Sequence, residues 1–215
     1  MANKKLKERK TRALEVLRYL KKECPHAQIA LRYQNPIQLL VAVILSAQCT
    51  DKKVNEVTLG LFKKYKTVDD FARADQEMFE QEVKPTGFYR AKAKNIIAAA
   101  KKIRDEFGGN IPRTIKEITT LPGIARKSAN VILGNAFGVV EGIAVDTHVL
   151  RFAKTCDLSD YDNPIKVEQD LMELFSKKEW FSLTYRIIEH GRSSRTKEHK
   201  HEPCLLRDLC NDPKF

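Results

Sequence analysis

The stretch Leu121-Pro-Gly-Ile-Ala-Arg-Lys-Ser-Ala-Asn-Val-Ile-Leu-Gly134 decides the fold, because it has the pattern of a tight turn that opens a helix. The Pro-Gly pair is the turn signal, and the apolar run after the lysine is compatible with a helix. Arg126 and Lys127 then fall in the first turn of that helix. Unpaired backbone N–H groups at a helix start favour anions, so two cations there need a reason beyond local stability.

A second helix precedes this turn, because Thr114 and Glu117 have the spacing of a capping box that opens a short helix before Leu121. Helix, turn and helix together make a helix–hairpin–helix arrangement. Gly123 allows a close backbone approach, and the N–H groups at the start of the second helix suit an anion such as a DNA phosphate. An ordinary pair of antiparallel helices is the alternative that the turn alone leaves open.

The remainder of the chain is helical in pattern almost throughout. Apolar spacing, N-cap residues and glycine stops predict further helices at about Glu8–Lys22, Ile37–Ala47, Thr50–Lys64, Arg90–Phe107, Asn163–Lys177 and Trp180–His190. Strand candidates are few, and Gln28–Leu31 and Gly142–Val145 are short enough to be extended connectors. The predicted fold class is all-α, with about ten helices and short connections.

Charge indicates the class of partner. The chain carries 39 Lys and Arg against 28 Asp and Glu, which gives a net charge of +11. Such an excess attracts polyanions, of which nucleic acid is the commonest, although a basic protein without a polyanionic partner is the alternative. No signal peptide is visible, and the longest apolar run, Ile37–Ala47, is too short to span a bilayer. We expect a cytoplasmic protein with no membrane partner.

Lys127 and Asp146 form the candidate catalytic pair. A lysine amine is a nucleophile only when neutral, and a helix N-terminus with a neighbouring cation favours the neutral form. Asp146 follows a short apolar segment and stands where the next helix is expected to begin. A carboxylate there can accept a proton from the amine and stabilise positive charge on a sugar. A surface lysine and a plain N-cap aspartate are the alternatives at this point.

Four motifs carry a resemblance to a known family. They are Leu45–Asp51, Gly87–Ala93, Leu121–Asn130, and Ala144–His148 followed by Arg151. Together they resemble the endonuclease III family of DNA glycosylases, within the helix–hairpin–helix superfamily that has a Gly/Pro-rich loop and a catalytic aspartate. The resemblance covers nearly the whole chain and keeps the family's motif order. The hairpin motif alone is less specific, because non-catalytic DNA-binding modules share it.

The resemblance implies base-excision DNA repair by a bifunctional DNA glycosylase and abasic-site lyase that acts on oxidised pyrimidines in double-stranded DNA. Lys127 would attack C1′ and expel the damaged base, with Asp146 as the essential carboxylate. The resulting Schiff base allows β-elimination, which cleaves the strand 3′ to the lesion. The alternatives are a monofunctional mismatch-specific DNA glycosylase, whose relatives usually lack the lysine, and a non-catalytic helix–hairpin–helix DNA-binding protein.

The same resemblance assigns residues to DNA contacts. Gln48 matches the residue that fills the gap left by the flipped nucleotide. Phe88 matches an apolar wedge between bases of the opposite strand, and a core aromatic is the alternative. Arg126 is either a phosphate contact or a neighbour that helps Lys127 to lose its proton. The full DNA-binding set is Gln48, Phe88, Tyr89, Arg90, Gly123, Ala125, Arg126 and Arg151.

In architecture, the resemblance implies two helical lobes with the active site in the cleft between them. Residues 28–139 would form a six-helix barrel that carries the hairpin. Residues 1–27 and 140–215 would together form the second lobe and supply Asp146. We expect a monomer in the cytoplasm, associated with the nucleoid.

The C-terminal segment departs from the family. Members commonly end in four cysteines with the spacing C-x6-C-x2-C-x5-C, which bind a [4Fe–4S] cluster. Here only Cys204 and Cys210 match, while Ser194 and His201 stand at the other two positions, so we expect no cluster. An alternative is a zinc ion bound by His199, His201, Cys204 and Cys210, although their spacing matches no standard zinc pattern.

Overall fold

The computed structural model describes residues 2–193 of the 215-residue chain. This range is helical, with eleven α-helices, one 3-10 turn at Lys84–Thr86 and no β-strand, which confirms the predicted all-α class. The α-helices in chain order are α1 (Ala2–Glu23), α2 (Pro36–Leu45), α3 (Asp51–Lys64), α4 (Val68–Ala72), α5 (Gln76–Val83), α6 (Tyr89–Glu106), α7 (Ile115–Ile118), α8 (Arg126–Phe137), α9 (Thr147–Thr155), α10 (Pro164–Leu174) and α11 (Lys177–Ser193). Within the same range, no helix combines the length and the apolarity needed to cross a membrane.

Helices that begin at a strong cap agree with the sequence prediction. Asn35 and Thr50 each accept a hydrogen bond from a backbone N–H in the first turn of α2 and α3. The short helices α4 and α5 are not predicted from the sequence, although Thr67 and Asp75 cap them in the same way. They are only one to two turns long, which is too short for an apolar period to be recognised.

The chain divides into two compact units, and Ala30–Glu141, with helices α2 to α8, is one of them. Helix α2 lies in its core, because every residue from Ile37 to Leu45 is buried. A helix that is apolar on all sides must be surrounded by other elements. Tyr65 packs against the fully buried rings of Phe71 and Phe79, with ring centroids 5.4 and 5.3 Å apart.

The other unit combines Met1–Ile29 with Gly142–Phe215. In its described part, α1, α9, α10 and α11 contribute to one buried apolar cluster. Its larger members are Leu20, Ile143, Val149, Phe152, Val167, Leu171, Phe175, Leu183 and Ile187. The segment that leads to Asp146 is therefore held in a core by Ile143 before the chain enters α9.

An ion-pair network fixes α1 on the loop that follows α9. Arg12 Nη1 lies 2.7 Å from Asp157 Oδ2, and Arg9 Nη2 lies 3.1 Å from Asp157 Oδ1 and 2.7 Å from Asp160 Oδ1. Partial burial by itself would raise the pKa of Asp157, but the hydrogen bonds from Arg12 and Arg9 outweigh it, so this pKa lies below its ordinary value. The network therefore stabilises the unit most strongly when both carboxylates are ionised.

Candidate functional site

The predicted hairpin is formed by α7, a tight turn and α8. Thr114 caps α7 by accepting a hydrogen bond from the Glu117 N–H. In the turn, the Ile124 N–H donates to the Leu121 carbonyl at 3.1 Å, and both of these apolar side chains are buried. The turn is thus anchored on the core by its first and last residues, which leaves Gly123 exposed at the surface.

Gly123 is required in this turn for two physical reasons. Its φ is +80°, in the left-handed region that glycine adopts far more readily than other residues. A Cβ added to it would lie only 3.1 Å from both Cβ and Nδ2 of Asn95 on α6. The hairpin turn therefore lies directly against α6 at Asn95.

Lys127 lies in the first turn of α8, and no side chain caps this helix start. Ala125 is the N-cap residue in an extended conformation, with φ −93° and ψ 170°, and it makes no capping hydrogen bond. The first turn contains no acidic residue. The Lys127 side chain is exposed, and no hydrogen bond or ion pair engages its ammonium within the described range. An uncapped helix start with basic side chains is an arrangement that binds phosphate.

Only α6 and α8 begin without a side-chain cap, among the described α-helices whose N-cap is defined. The capping residues of the others are Asn35, Thr50, Thr67, Asp75, Thr114, Asp146 and Asn163. At α6, the N-cap position is occupied by Phe88, which makes no capping hydrogen bond. Both uncapped starts belong to segments that the sequence prediction assigns to DNA.

Asp146 caps α9 with one of its two carboxylate oxygens. Its Oδ1 accepts hydrogen bonds from the backbone N–H groups of His148 and Val149, both at 2.9 Å. The preceding segment is buried, and the Thr184 hydroxyl donates to the Ala144 carbonyl at 3.0 Å. The carboxylate is therefore rigidly held and half-buried, with Oδ2 outside the capping bonds. Asp146 and Lys127 belong to different units.

Gln48 and Phe88 occupy two loops whose backbone is strained. Gln48 has φ +52° and Phe88 has φ +49°, which is the left-handed region that bulky residues rarely adopt. Both side chains are exposed, and the phenyl group of Phe88 is 67% exposed. The interpretation of Phe88 as a core aromatic is therefore wrong, because its ring packs in no apolar core.

Of the other predicted DNA contacts on helices, Arg90 and Arg151 are exposed, whereas Tyr89 and Arg126 are half-buried. Arg90 is highly exposed, with its guanidinium carbon 5.5 Å from the Tyr89 ring centroid and its Nε 3.8 Å from Glu80 Oε2. At that distance the carboxylate leaves the guanidinium accessible to other anions. Arg151 is exposed on α9, in the unit that also carries Asp146.

Sequence reasoning missed two residues that organise this surface. Lys92 and Asn95 follow Phe88 on α6 by four and seven residues. Lys92 and Asn95 are three residues apart and therefore share one face of α6, so this spacing was available as a signal. A lysine in a largely polar helix is normally solvent-exposed, however, and Lys92 is buried instead.

The sequence offers candidate metal ligands only at the end of the chain, where we expect no iron–sulfur cluster and zinc is the alternative. In residues 2–193, no group of three or more His, Cys, Asp or Glu side chains is placed to hold a metal ion. The positions considered for the iron–sulfur cluster and for zinc lie outside the described residues. They are Ser194, His199, His201, Cys204 and Cys210.

Comparisons with known proteins agree with this geometry. The family model of HhH-GPD superfamily base excision DNA repair proteins matches residues 41–177. Endonuclease III of Synechocystis sp. is 45% identical over 208 residues, which are 96% of this chain and 95% of the relative. Endonuclease III of Bacillus subtilis is 43% identical over 190 residues, 87% of this chain and 86% of the relative. A solved structure of a trapped endonuclease III–DNA covalent intermediate has a TM-score of 0.87 at 40% identity and covers 94% of this chain and 95% of that one.

A helical hairpin with an uncapped, basic second helix, matched over this length, defines a base excision DNA repair protein of the HhH-GPD superfamily. Within that class, the chain belongs to the endonuclease III family and is a DNA glycosylase and abasic-site lyase. The family and the enzyme class inferred from the four motifs are therefore confirmed. The same comparisons exclude the alternative of a non-catalytic DNA-binding protein.

Proposed function

We propose that the substrate is double-stranded DNA that contains an oxidised pyrimidine or an abasic site, with Lys127 as nucleophile and Asp146 as the carboxylate that assists it. The presentation of Lys127 carries this proposal, because its amine is exposed in the first turn of an uncapped helix. The endonuclease III complex of similar structure is a covalent intermediate with DNA, which supports an enzyme nucleophile in this chain as well. Phosphates bound at the same helix start would bring the sugar close to the amine.

The reaction follows from an amine and a carboxylate acting on one nucleotide. The neutral amine of Lys127 attacks C1′, and the N-glycosidic bond breaks as the base leaves with the bonding electrons. Asp146 accepts a proton from the attacking nitrogen through Oδ2, since Oδ1 is used in capping. The sugar ring opens to a Schiff base between Nζ and C1′. Loss of a C2′ proton then breaks the C3′–O3′ bond and cuts the strand.

Borohydride trapping tests the nucleophile. Borohydride reduces the Schiff base to a stable amine, so wild type incubated with a thymine-glycol duplex is expected to form a covalent protein–DNA adduct. Lys127→Ala removes the adduct, whereas Lys116→Ala, which removes an exposed lysine from the other helix of the hairpin, retains it. An adduct formed by Lys127→Ala would identify a different nucleophile. Wild type that binds the duplex without trapping would refute the lyase mechanism for this chain.

Asp146→Asn separates the charge of this side chain from its capping role. Asparagine caps helices as well as aspartate, so α9 keeps its cap and the unfolding free energy stays nearly constant. Base excision falls by about 100-fold or more, because an amide cannot accept the proton of the amine. Asn163→Asp at the start of α10 is the matched control, since it exchanges the same groups at another capped helix. Full activity in Asp146→Asn would show that Asp146 is only a cap.

The DNA-binding proposal assigns Gln48 and Phe88 to the duplex interior and the starts of α6 and α8 to its phosphates. The combination of exposure and left-handed backbone at Phe88 supports this, because it holds a phenyl ring outside the core, where it can insert between bases. Tyr89, Arg90, Gly123, Ala125, Arg126 and Arg151 complete the proposed surface. Phe88→Ala should weaken excision from duplex DNA without destabilising the fold. Met78→Ala, which truncates another exposed apolar side chain, should leave excision unchanged.

We also propose that this chain carries no [4Fe–4S] cluster, because the four family ligand positions hold Ser194, His201, Cys204 and Cys210. A serine and a histidine in place of two thiolates are a poor donor set for four iron atoms. Iron and sulfide analysis of the purified protein is expected to find neither at stoichiometric amounts. Stoichiometric zinc in the same measurement would instead support the set that includes His199. Four irons per chain would refute the proposal.

The remaining proposals concern organisation in the cell. We infer two lobes, residues 28–139 and residues 1–27 with 140–215, in a monomer that acts on DNA in the cytoplasm, at the nucleoid. Base excision at a single nucleotide needs one active site, which supports a monomer. Sedimentation at micromolar concentration tests it, and a stable dimer would contradict it. Imaging of a fluorescent fusion tests the location, since a DNA repair enzyme should coincide with the stained chromosome.

A further inference from the structure

Lys92 is a lysine that the reaction does not use and that the fold nevertheless buries. Its side chain is only 4% exposed, which is rare for an ammonium group. Nζ donates to the Leu45 carbonyl at 2.8 Å and to the Thr86 carbonyl at 2.7 Å. Among the described residues its ammonium pairs with no carboxylate, and burial lowers the pKa of Lys92. An ammonium group kept in the core, with two main-chain carbonyls as its hydrogen-bond acceptors, indicates a specific task.

The two carbonyls end the segments that lead into the strained loops. Leu45 is the last residue of α2 and stands three residues before Gln48. Thr86 ends the 3-10 turn and stands two residues before Phe88. Neither carbonyl accepts a bond from a backbone N–H in the described part of the chain. Lys92 therefore supplies a hydrogen bond to the end of α2 and another to the end of the 3-10 turn, and its Nζ atom links the two.

The contact with Lys92 adds a restraint at the end of α2 and at the end of the 3-10 turn. The carbonyl at the end of a helix carries partial negative charge, so an ammonium is a favourable partner for Leu45. Thr86 is buried and its hydroxyl donates to the Val83 carbonyl at 2.8 Å, which leaves its own carbonyl for Lys92. Gln48 and Phe88 follow in left-handed conformations, which persist only where the surroundings impose them.

We propose that Lys92 is a positioning residue for DNA distortion. It holds the loop of residues 46–50, which carries Gln48, at a fixed separation from residues 87–88, which end in Phe88. This inference rests on the proposed function, in which both side chains enter the duplex. Extrusion of a base costs the free energy of unstacking and unpairing it. A gap-filling residue and a wedge that act at the same step would together offset that cost. If the two loops moved independently, each insertion would lose the support of the other.

The decisive experiment compares abasic-site cleavage in duplex and in single-stranded DNA, because only the duplex has to be opened. Lys92→Met keeps the length and the apolar part of the side chain and removes the donors. Duplex cleavage by Lys92→Met is expected to fall about 10- to 100-fold, the loss typical of a reacting group misplaced by an ångström. Single-strand cleavage, which depends on Lys127, stays at the wild-type rate. Lys101→Met, at an exposed position of the same helix, leaves both rates unchanged.

A spectroscopic measurement gives an independent result. A fluorescent adenine analogue opposite an abasic site brightens when the wedge unstacks it, and this signal should be lost in Lys92→Met at saturating protein. Lys92→Gln, which keeps uncharged N–H donors on a shorter side chain, replaces Lys92→Met if that variant does not fold. The same selective loss on duplex DNA is expected of it. Equal losses on duplex and single strand would reduce Lys92 to a structural role and overturn the inference.

Phe88→Ala, measured in parallel, separates failure of the inference from failure of the proposed function. If Phe88→Ala loses duplex cleavage and Lys92→Met does not, the positioning role of Lys92 is refuted while the wedge is retained. If Phe88→Ala keeps full duplex cleavage, the proposed wedge is refuted, and the inference that rests on it is refuted as well. If both variants lose only duplex cleavage and the double variant loses no more than either, the two residues act in one step.

Discussion

Gly123→Ala is expected to destabilise the hairpin by more than the same change at Gly138. Both glycines have positive φ, +80° and +65°, so each alanine adopts a left-handed conformation at a cost of about 1 kcal/mol. The Gly138 Cβ would enter open space, whereas the Gly123 Cβ would lie 3.1 Å from two atoms of Asn95. Such crowding typically costs about 1–3 kcal/mol. We therefore expect a loss of about 1 kcal/mol for Gly138→Ala and about 3 kcal/mol for Gly123→Ala.

Thermal and urea unfolding of the two variants measure this difference directly. For a chain of this length, about 1 kcal/mol lowers Tm by about 2–4 °C, so Gly123→Ala should unfold about 6–12 °C below wild type. Asn95→Gly removes the crowded atoms. In a chain that already carries Asn95→Gly, Gly123→Ala should therefore lower the free energy of unfolding by less than it does alone, the difference being about 1 kcal/mol or more. Equal losses at Gly123 and Gly138, or no recovery with Asn95→Gly, would refute the argument that α6 supports the hairpin.

Three further predictions follow from single contacts. Asp157→Asn should cost up to about 1 kcal/mol at neutral pH, because its partners are partly exposed. Since the pKa of Asp157 is lowered in the folded chain, this contribution is complete above the ordinary carboxyl pKa near 4 and is lost as pH falls through the lowered value. Urea midpoints of the two proteins should therefore converge in acid, and a constant gap would contradict the ion pairs. Arg126→Ala should lower the slope of log affinity against log salt by about 1 in duplex titrations, and an unchanged slope would exclude a phosphate contact. Thr50→Ala should cost about 1 kcal/mol by removing the cap of α3, and chemical denaturation that shows no loss would refute that role.

The sequence predicts those parts of the fold whose cause is local. Asn35 and Asn163 cap helices in which proline is the first residue, and both starts lie where they were predicted. The capping box at Thr114 is only partly formed, because Glu117 bonds to the threonine hydroxyl and not to its backbone N–H. A complete box occurs at Thr67 instead, with an aspartate in the position where glutamate was the expected signal.

The unpredicted features of the candidate site have non-local causes. The backbone is left-handed at Gln48 and Phe88, and neither residue type signals that conformation in a sequence. The burial of Lys92 follows from two carbonyls that no pattern in the sequence marks. The space for a side chain at Gly123 is restricted by Asn95, a residue of another helix. Motif resemblance identified the segments of the site. The contacts between those segments depend on tertiary packing, which the sequence motifs do not show.

Helix α6 has Phe88, the proposed wedge, at its start. Further along, Lys92 binds the end of α2 and Asn95 contacts the hairpin turn. These points span about 10 Å along one helix face, since each residue advances the helix by about 1.5 Å. A deletion of one residue between Lys92 and Asn95 would rotate Asn95 by about 100° around the helix axis, relative to Lys92 and to the start of α6. Changes of length in this family member should therefore be tolerated in the exposed turn at Gly108 and Gly109, after the end of α6, and rejected within α6. The spacing of these three positions along α6 is therefore fixed by the helix itself.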